Sequence, residues 1–143
     1  MKLTPDYIVG LVDGEGSFTV YVRDPESSKI VKRRVKVEPR FYLKLVERDK
    51  EILYTLMEYF GCGNVYYQPD KRANHQNCYR YEVANRLQLE QIIIPFFKIH
   101  QPKLASKRID FEIFCELLQL INSGSHLTAS GWQQIFDIKQ RMH

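Results

Sequence analysis

Glu15 is the side chain whose setting speaks most clearly of chemistry. It lies between Gly14 and Gly16, at the end of the apolar segment Tyr7-Ile8-Val9-Gly10-Leu11-Val12, with Asp13 just before Gly14. Ile8, Leu11 and Val12 recur at helical spacing, so the segment predicts a helix ending near Gly14. Gly14 and Gly16 read as its stop, where a positive φ is cheap. A helix C-terminus already carries partial negative charge, so a carboxylate there is poorly placed for stability. It is well placed to hold a divalent cation. Gly10 and Gly14 stand four apart and share one side of the helix. A side without Cβ atoms lets another backbone come close.

The elements that must position this group follow from pattern. Thr4 is the expected N-cap and Pro5 the first helical residue. Phe18, Val20 and Val22 alternate with Ser17, Thr19, Tyr21 and Arg23, the period of a half-buried strand. Asp24-Pro25-Glu26-Ser27-Ser28 is turn chemistry. A second strand carries Val35, Val37, Phe41, Leu43 and Leu45 on one face. Lys36, Glu38, Arg40, Tyr42 and Lys44 fall on the other. Asp49 can cap a second helix with the apolar stripe Ile52, Leu53, Leu56, Met57 and Phe60, which Gly61-Cys62-Gly63 ends. Residues 65–68 and 78–84 read as two further strands around a polar, basic loop. A third helix opens near Asn85, and two more are expected over 104–121 and 128–141. This order predicts an α+β domain with a four-stranded antiparallel sheet and helices on one face. The motif around Glu15 occurs once, and residues 1–143 are expected to form a single domain with a core of about 4–121 and a helical tail.

The net charge is +4, and its distribution is uneven. Lys29, Lys32, Arg33, Arg34, Lys36, Arg40 and Lys44 crowd one stretch; Lys71, Arg72 and Arg80 fall in another. A basic surface favours polyphosphate partners. The polar face of the strands adds Tyr21, Arg23, Glu38, Tyr42, Tyr66, Gln68 and Glu82. Long side chains that donate, accept or stack are what base edges and phosphates require. A solvated sheet face is the plainer reading of such a pattern.

Cys62, Cys78 and Cys115 have no close pairing, and the four histidines have no metal-ligand spacing, so a zinc site is not expected. No apolar run approaches membrane-spanning length, and no signal or transit segment opens the chain. An intracellular location is expected, in the cytoplasm of a prokaryote or the matrix of an organelle that encodes the protein.

Ile8 to Gly16, followed by Ser17, Phe18 and Val20, resembles the signature of the LAGLIDADG homing endonucleases. With the order of elements, the resemblance extends over roughly residues 4–121. Asp13 matches the first acid of the motif and Glu15 the second, where the family commonly has Asp. The resemblance implies the αββαββα fold and hydrolysis of double-stranded DNA at a long near-palindromic site, by an intron-encoded protein. It implies a homodimer packed through Tyr7, Gly10, Leu11 and Gly14, which brings two copies of Glu15 together near the two-fold axis. Mg²⁺ (or Mn²⁺) is the implied cofactor, with Glu15 and the Gly14 carbonyl as ligands. Asp13 is implied as a structural partner at the catalytic centre. Lys103 to Phe111 resembles the segment that carries an assisting lysine, with Lys107 first among Lys98, Lys103 and Lys107. Lys44 or Glu47 is implied for a further polar position. The same fold also serves in maturases, whose partner is intron RNA, and in DNA-binding regulators without catalysis; the acid at Glu15 argues for cleavage.

Overall fold

Thr4 opens the first helix: its Oγ1 accepts from the Tyr7 N–H at 3.2 Å, and Pro5 fills the first helical position. In the computed structural model, which describes residues 1–26 and 36–143, α1 runs Pro5–Glu15. Lys29, Lys32, Arg33, Arg34 and Val35 lie outside the described residues. The helix continues past the expected stop at Gly14. Gly16 is the C-cap, and its φ of −83° is extended backbone, not left-handed. Contact, not φ, requires a glycine there, because a Cβ would lie 2.8 Å from Val12 Cγ1 and 2.9 Å from Val12 Cα. The chain thus leaves the helix and enters a strand without an intervening loop.

That strand is β1 (Gly16–Val22), paired with β2 (Val37–Val46). β3 (Asn64–Gln68) and β4 (Cys78–Val83) complete an antiparallel sheet in the order β1-β2-β4-β3. Phe18, Val20, Phe41, Leu43, Tyr81 and Val83 are buried on one face, as the alternation predicts. Pro39 is tolerated in a central strand because it pairs with Val20 beyond the end of β4, where a missing N–H costs no ladder bond on that side.

The helices pack on the apolar face. α2 (Lys50–Phe60) follows a 3₁₀ turn at Glu47–Asp49. Asp49 makes no side-chain cap, contrary to expectation, because its ψ of 11° is that of the preceding turn and not the extended conformation that capping needs. The expected third helix is α3 (Arg86–Gln88), a π-helical turn (Leu89–Ile93) and α4 (Ile94–Ile99). Pro95 lacks an N–H, so a regular ladder cannot run through it; the turn ends with Ile94 N–H bonded to Leu89 C=O. α5 (Ala105–Asn122) and α6 (Ala129–Lys139) complete the chain.

Phe18 is the hub of the core. Its ring lies 5.1 Å from Phe41, 5.2 Å from Phe97, 5.1 Å from Phe111 and 5.6 Å from Phe114. These aromatic contacts add to the area that each ring buries. Because Phe18 is two residues from Gly16, the same packing anchors the end of α1. At the other end of β1, the Trp132 Nε1–H of α6 donates to the Arg23 carbonyl at 2.8 Å.

Gly63 has φ +86°, and a Cβ there would meet the Glu82 carbonyl at 2.7 Å. Gly63→Ala is expected to lower stability by about 1–3 kcal/mol, read by urea unfolding. An unchanged midpoint would contradict the close approach of the α2–β3 turn to β4.

Candidate active site

Asp13 and Glu15 are separated by one residue and have different surroundings. Both Asp13 carboxylate oxygens accept from the backbone N–H of Lys103, at 3.2 and 3.1 Å. The Glu15 side chain makes no hydrogen bond or ion pair with any described residue and is exposed. The second tie to this helix end comes from α5, where Lys107 Nζ donates to the Gly16 carbonyl. These bonds join groups 90 and 91 residues apart and hold the start of α5 against the end of α1. Of the three candidate lysines, Lys107 therefore brings its amine to the acid motif. Lys103 contributes its backbone, while Lys98 lines a groove with Glu90, Cys115 and Glu112 that includes no residue of the acid motif.

The outer side of α1 is flat. Gly10 and Gly14 are exposed, and a Cβ on either would meet nothing within 4 Å. Neither glycine is needed for packing within the protomer. Tyr7 is 49 % exposed and Leu11 half-buried beside them.

Hard oxygen donors gather at this end of the helix: the Glu15 carboxylate and the carbonyls of the last turn, which lack intrahelical partners. Such donors suit Mg²⁺ or Mn²⁺. Among the described residues no three His, Cys, Asp or Glu side chains converge. One copy thus offers an open carboxylate here and not a closed protein cage.

The open face of the sheet carries the expected polar set in registered rows. Tyr21 lies opposite Glu38, and Thr19 opposite Arg40. Ser17, Tyr42, Glu82 and Asn64 form one row; Lys44, Arg80 and Tyr66 form the next, at the Glu15 end of β1. Gln68 continues beyond them, paired with Cys78. Lys36 precedes β2, with its Nζ 5.9 Å from the Tyr21 ring centre. Lys32, Arg33 and Arg34 fall outside the described residues. Ser17, Thr19 and Asn64 share these rows, and the sequence reading left them out. Strict alternation about Phe18 identifies the first two; Asn64 needs the register.

In the loop after β3, Lys71 is exposed and Arg72 is tied down. The Arg72 guanidinium grips Asp70 through both carboxylate oxygens, at 3.0 and 2.7 Å. That partner, with the Arg72 N–H, holds the Asp70 carboxyl well below the usual carboxylate range. Arg72 thus serves first to shape the loop.

A family model described as LAGLIDADG endonuclease matches residues 8–118, so the chain belongs to the LAGLIDADG endonuclease family. It is 31 % identical over 144 residues to the probable intron-encoded endonuclease 3 of Neurospora crassa, covering all of this chain and 25 % of that protein. The chain thus spans about a quarter of that curated relative. Among solved structures, the homing endonuclease I-TnaI is 36 % identical with a TM-score of 0.81, over 100 % of this chain and 90 % of that one. I-SmaMI bound to an uncleaved DNA target in the presence of calcium ions is 30 % identical with a TM-score of 0.81, over 99 % of this chain and 45 % of that one. I-SmaMI also matches when bound to cleaved DNA, and as variants with one or two lysines replaced by alanine. The fold is that of these enzymes.

The two acids should separate in a stability assay. Asp13→Ala is expected to cost about 1 kcal/mol through the lost Lys103 acceptor, whereas Glu15→Gln should leave stability within about 0.5 kcal/mol or raise it slightly. Equal losses in chemical unfolding would show that Glu15 has a structural partner.

Proposed function

We propose that this chain is a site-specific endonuclease that cleaves double-stranded DNA as a homodimer, with Glu15 as the metal-binding acid. The observation that carries the reading is the open Glu15 carboxylate on a helix end fixed by two long-range bonds, beside a glycine side without work in the protomer. A second α1 packed on Tyr7, Gly10, Leu11 and Gly14 brings two copies of Glu15 to a common axis. Each strand of the duplex then presents one phosphate to the paired site.

Glu15 and the Gly14 carbonyl would hold Mg²⁺ or Mn²⁺, which when bound supplies an activated water and charge neutralisation at phosphate. Lys107 Nζ, beside Gly16, donates to a phosphate oxygen as negative charge grows there. Asp13 holds the segment that carries Lys107. The seven residues of β1 span about 20 Å, the length of about six base pairs. Tyr21, Lys36, Glu38, Arg40, Tyr42, Lys44, Tyr66, Gln68, Arg80 and Glu82 line that length for a half-site in the major groove. Lys71 and Arg23 contribute at its ends. I-SmaMI, bound to DNA on the same fold, supports this placement. Among the described residues no helix is long and apolar enough to cross a membrane. We infer that the protein acts where intron-bearing DNA resides, in a prokaryotic cytoplasm or an organelle matrix. Intron RNA as the principal ligand, or DNA binding without catalysis, would leave the open carboxylate without a role.

Plasmid cleavage in Mg²⁺ tests the reading, with a target selected from a palindrome-biased library. Glu15→Gln is expected to reduce cleavage by at least about a hundredfold with DNA binding retained, and Lys107→Ala by about a hundredfold or more. Binding without cleavage by the unaltered chain would favour the regulator, and faster intron splicing the maturase. Gly10→Leu should give monomers in light scattering while the circular dichroism spectrum stays intact; an intact dimer would contradict the α1 contact.

A further inference from the structure

Charge on the open face of the sheet is organised around one carboxylate. Glu82 Oε1 lies 2.7 Å from Arg80 Nη2 in an ion pair and accepts from Arg40 Nη1 at 3.5 Å. Arg40 Nη2 donates to Glu38 Oε2 at 3.1 Å, and Lys36 Nζ stands 3.7 Å from Glu38 Oε1. The Arg80 guanidinium carbon lies 3.6 Å from the centre of the Tyr42 ring. The two arginines are therefore not equivalent. Arg40 meets a carboxylate at each of its two Nη atoms, whereas Arg80 is paired with one carboxylate, nearest at Nη2. The Arg80 and Glu82 side chains are 20 % and 13 % exposed, against 38 % for Arg40. Arg80 Nε is shielded and has no acceptor among the described residues.

The ring contact and the ion pair hold the Arg80 guanidinium before any ligand arrives, and its Nη1 donors make no hydrogen bond among the described residues. A guanidinium held flat with a free fork is suited to two acceptors side by side, as on the major-groove edge of guanine. A phosphate contact needs charge but not that plane. Prior ordering also reduces the freedom lost on binding. Arg80 shares its row with Lys44 and Tyr66, one register step beyond the Gly16–Leu43 pair. It therefore lies near the Glu15 end of the sheet.

We propose that Arg80 reads a guanine in the inner part of each half-site, and that Glu82 and Tyr42 are positioning residues which hold it for that contact. The inference rests on the DNA-cleaving reading above and deepens it. Glu82 in this account opposes non-specific phosphate binding by its charge while creating a preference for one base pair.

The experiment is selection of bound duplexes from a randomised pool, with Ca²⁺ in place of Mg²⁺, followed by sequencing. The unaltered chain should enrich guanine at one inner position per half-site, with discrimination of tenfold or more. Arg80→Lys keeps the charge and loses the fork; it should abolish that preference while affinity for the whole pool changes less than about threefold. Glu82→Gln and Tyr42→Leu should weaken the same position and no other, and Tyr42→Phe, which keeps the ring, should retain it. An unchanged Arg80→Lys profile would make Arg80 a phosphate contact and overturn the proposal. Loss in Arg80→Lys with no change in Glu82→Gln would remove the positioning role. If Tyr42→Leu fails to fold in a thermal melt, the Arg80→Lys and Glu82→Gln profiles still decide. No enrichment by the unaltered chain would overturn the DNA reading itself, a result distinct from enrichment that Arg80→Lys leaves intact.

Discussion

The tie between the end of α1 and the start of α5 is the constraint on which the site depends. Successive helical residues are about 100° apart, so Asp13 and Glu15 point to roughly opposite sides of the helix. Asp13 is taken up by the Lys103 N–H, and Lys107 reaches the Gly16 carbonyl just past the helix end. Between those fixed points Glu15 has no partner among the described residues and little freedom of backbone. A carboxylate at a helix C-terminus is electrostatically disfavoured. Its retention is understandable if the charge is compensated by something outside the protomer.

The same tie couples the core to the chemistry. Phe18 packs against Phe111 and Phe114 of α5 and against Phe97 of α4, within two residues of Gly16. Movement of α5 would displace both Lys107 and the base of β1. The polar face of the sheet and the acid motif are therefore parts of a single rigid element: β1 starts where α1 ends, without a linker. The polar side chains of the sheet therefore keep a fixed relation to Glu15. Family membership accords with this arrangement, and I-SmaMI, with the same fold, is bound to a DNA target.

Elements with a strong period were legible from the amino-acid sequence. The alternation around Phe18 and Phe41 and the stripe Leu53, Leu56 and Phe60 each have one face buried, so burial enforces the pattern. What could not be read arose from contacts between distant segments. The pairing of Asp13 with Lys103 spans 90 residues, and no local rule announces it. Gly16 was expected to serve by its φ, yet its contact with Val12 is what excludes a side chain. Asp49 had a capping identity but a turn conformation. Arg72 was expected on a basic surface facing a polyphosphate, and Asp70 nearby in sequence pairs with it. The network around Glu82 needed the register of β2 against β4, which composition does not contain.

The most direct measurement is anomalous scattering from crystals of the protein with duplex DNA and Mn²⁺. The account predicts manganese held by Glu15 carboxylates of two α1 helices packed glycine side to glycine side, at about 2.1 Å from the ligand oxygens and against the phosphates to be cut. Manganese bound elsewhere, or two Glu15 side chains held far apart on the duplex, would contradict it.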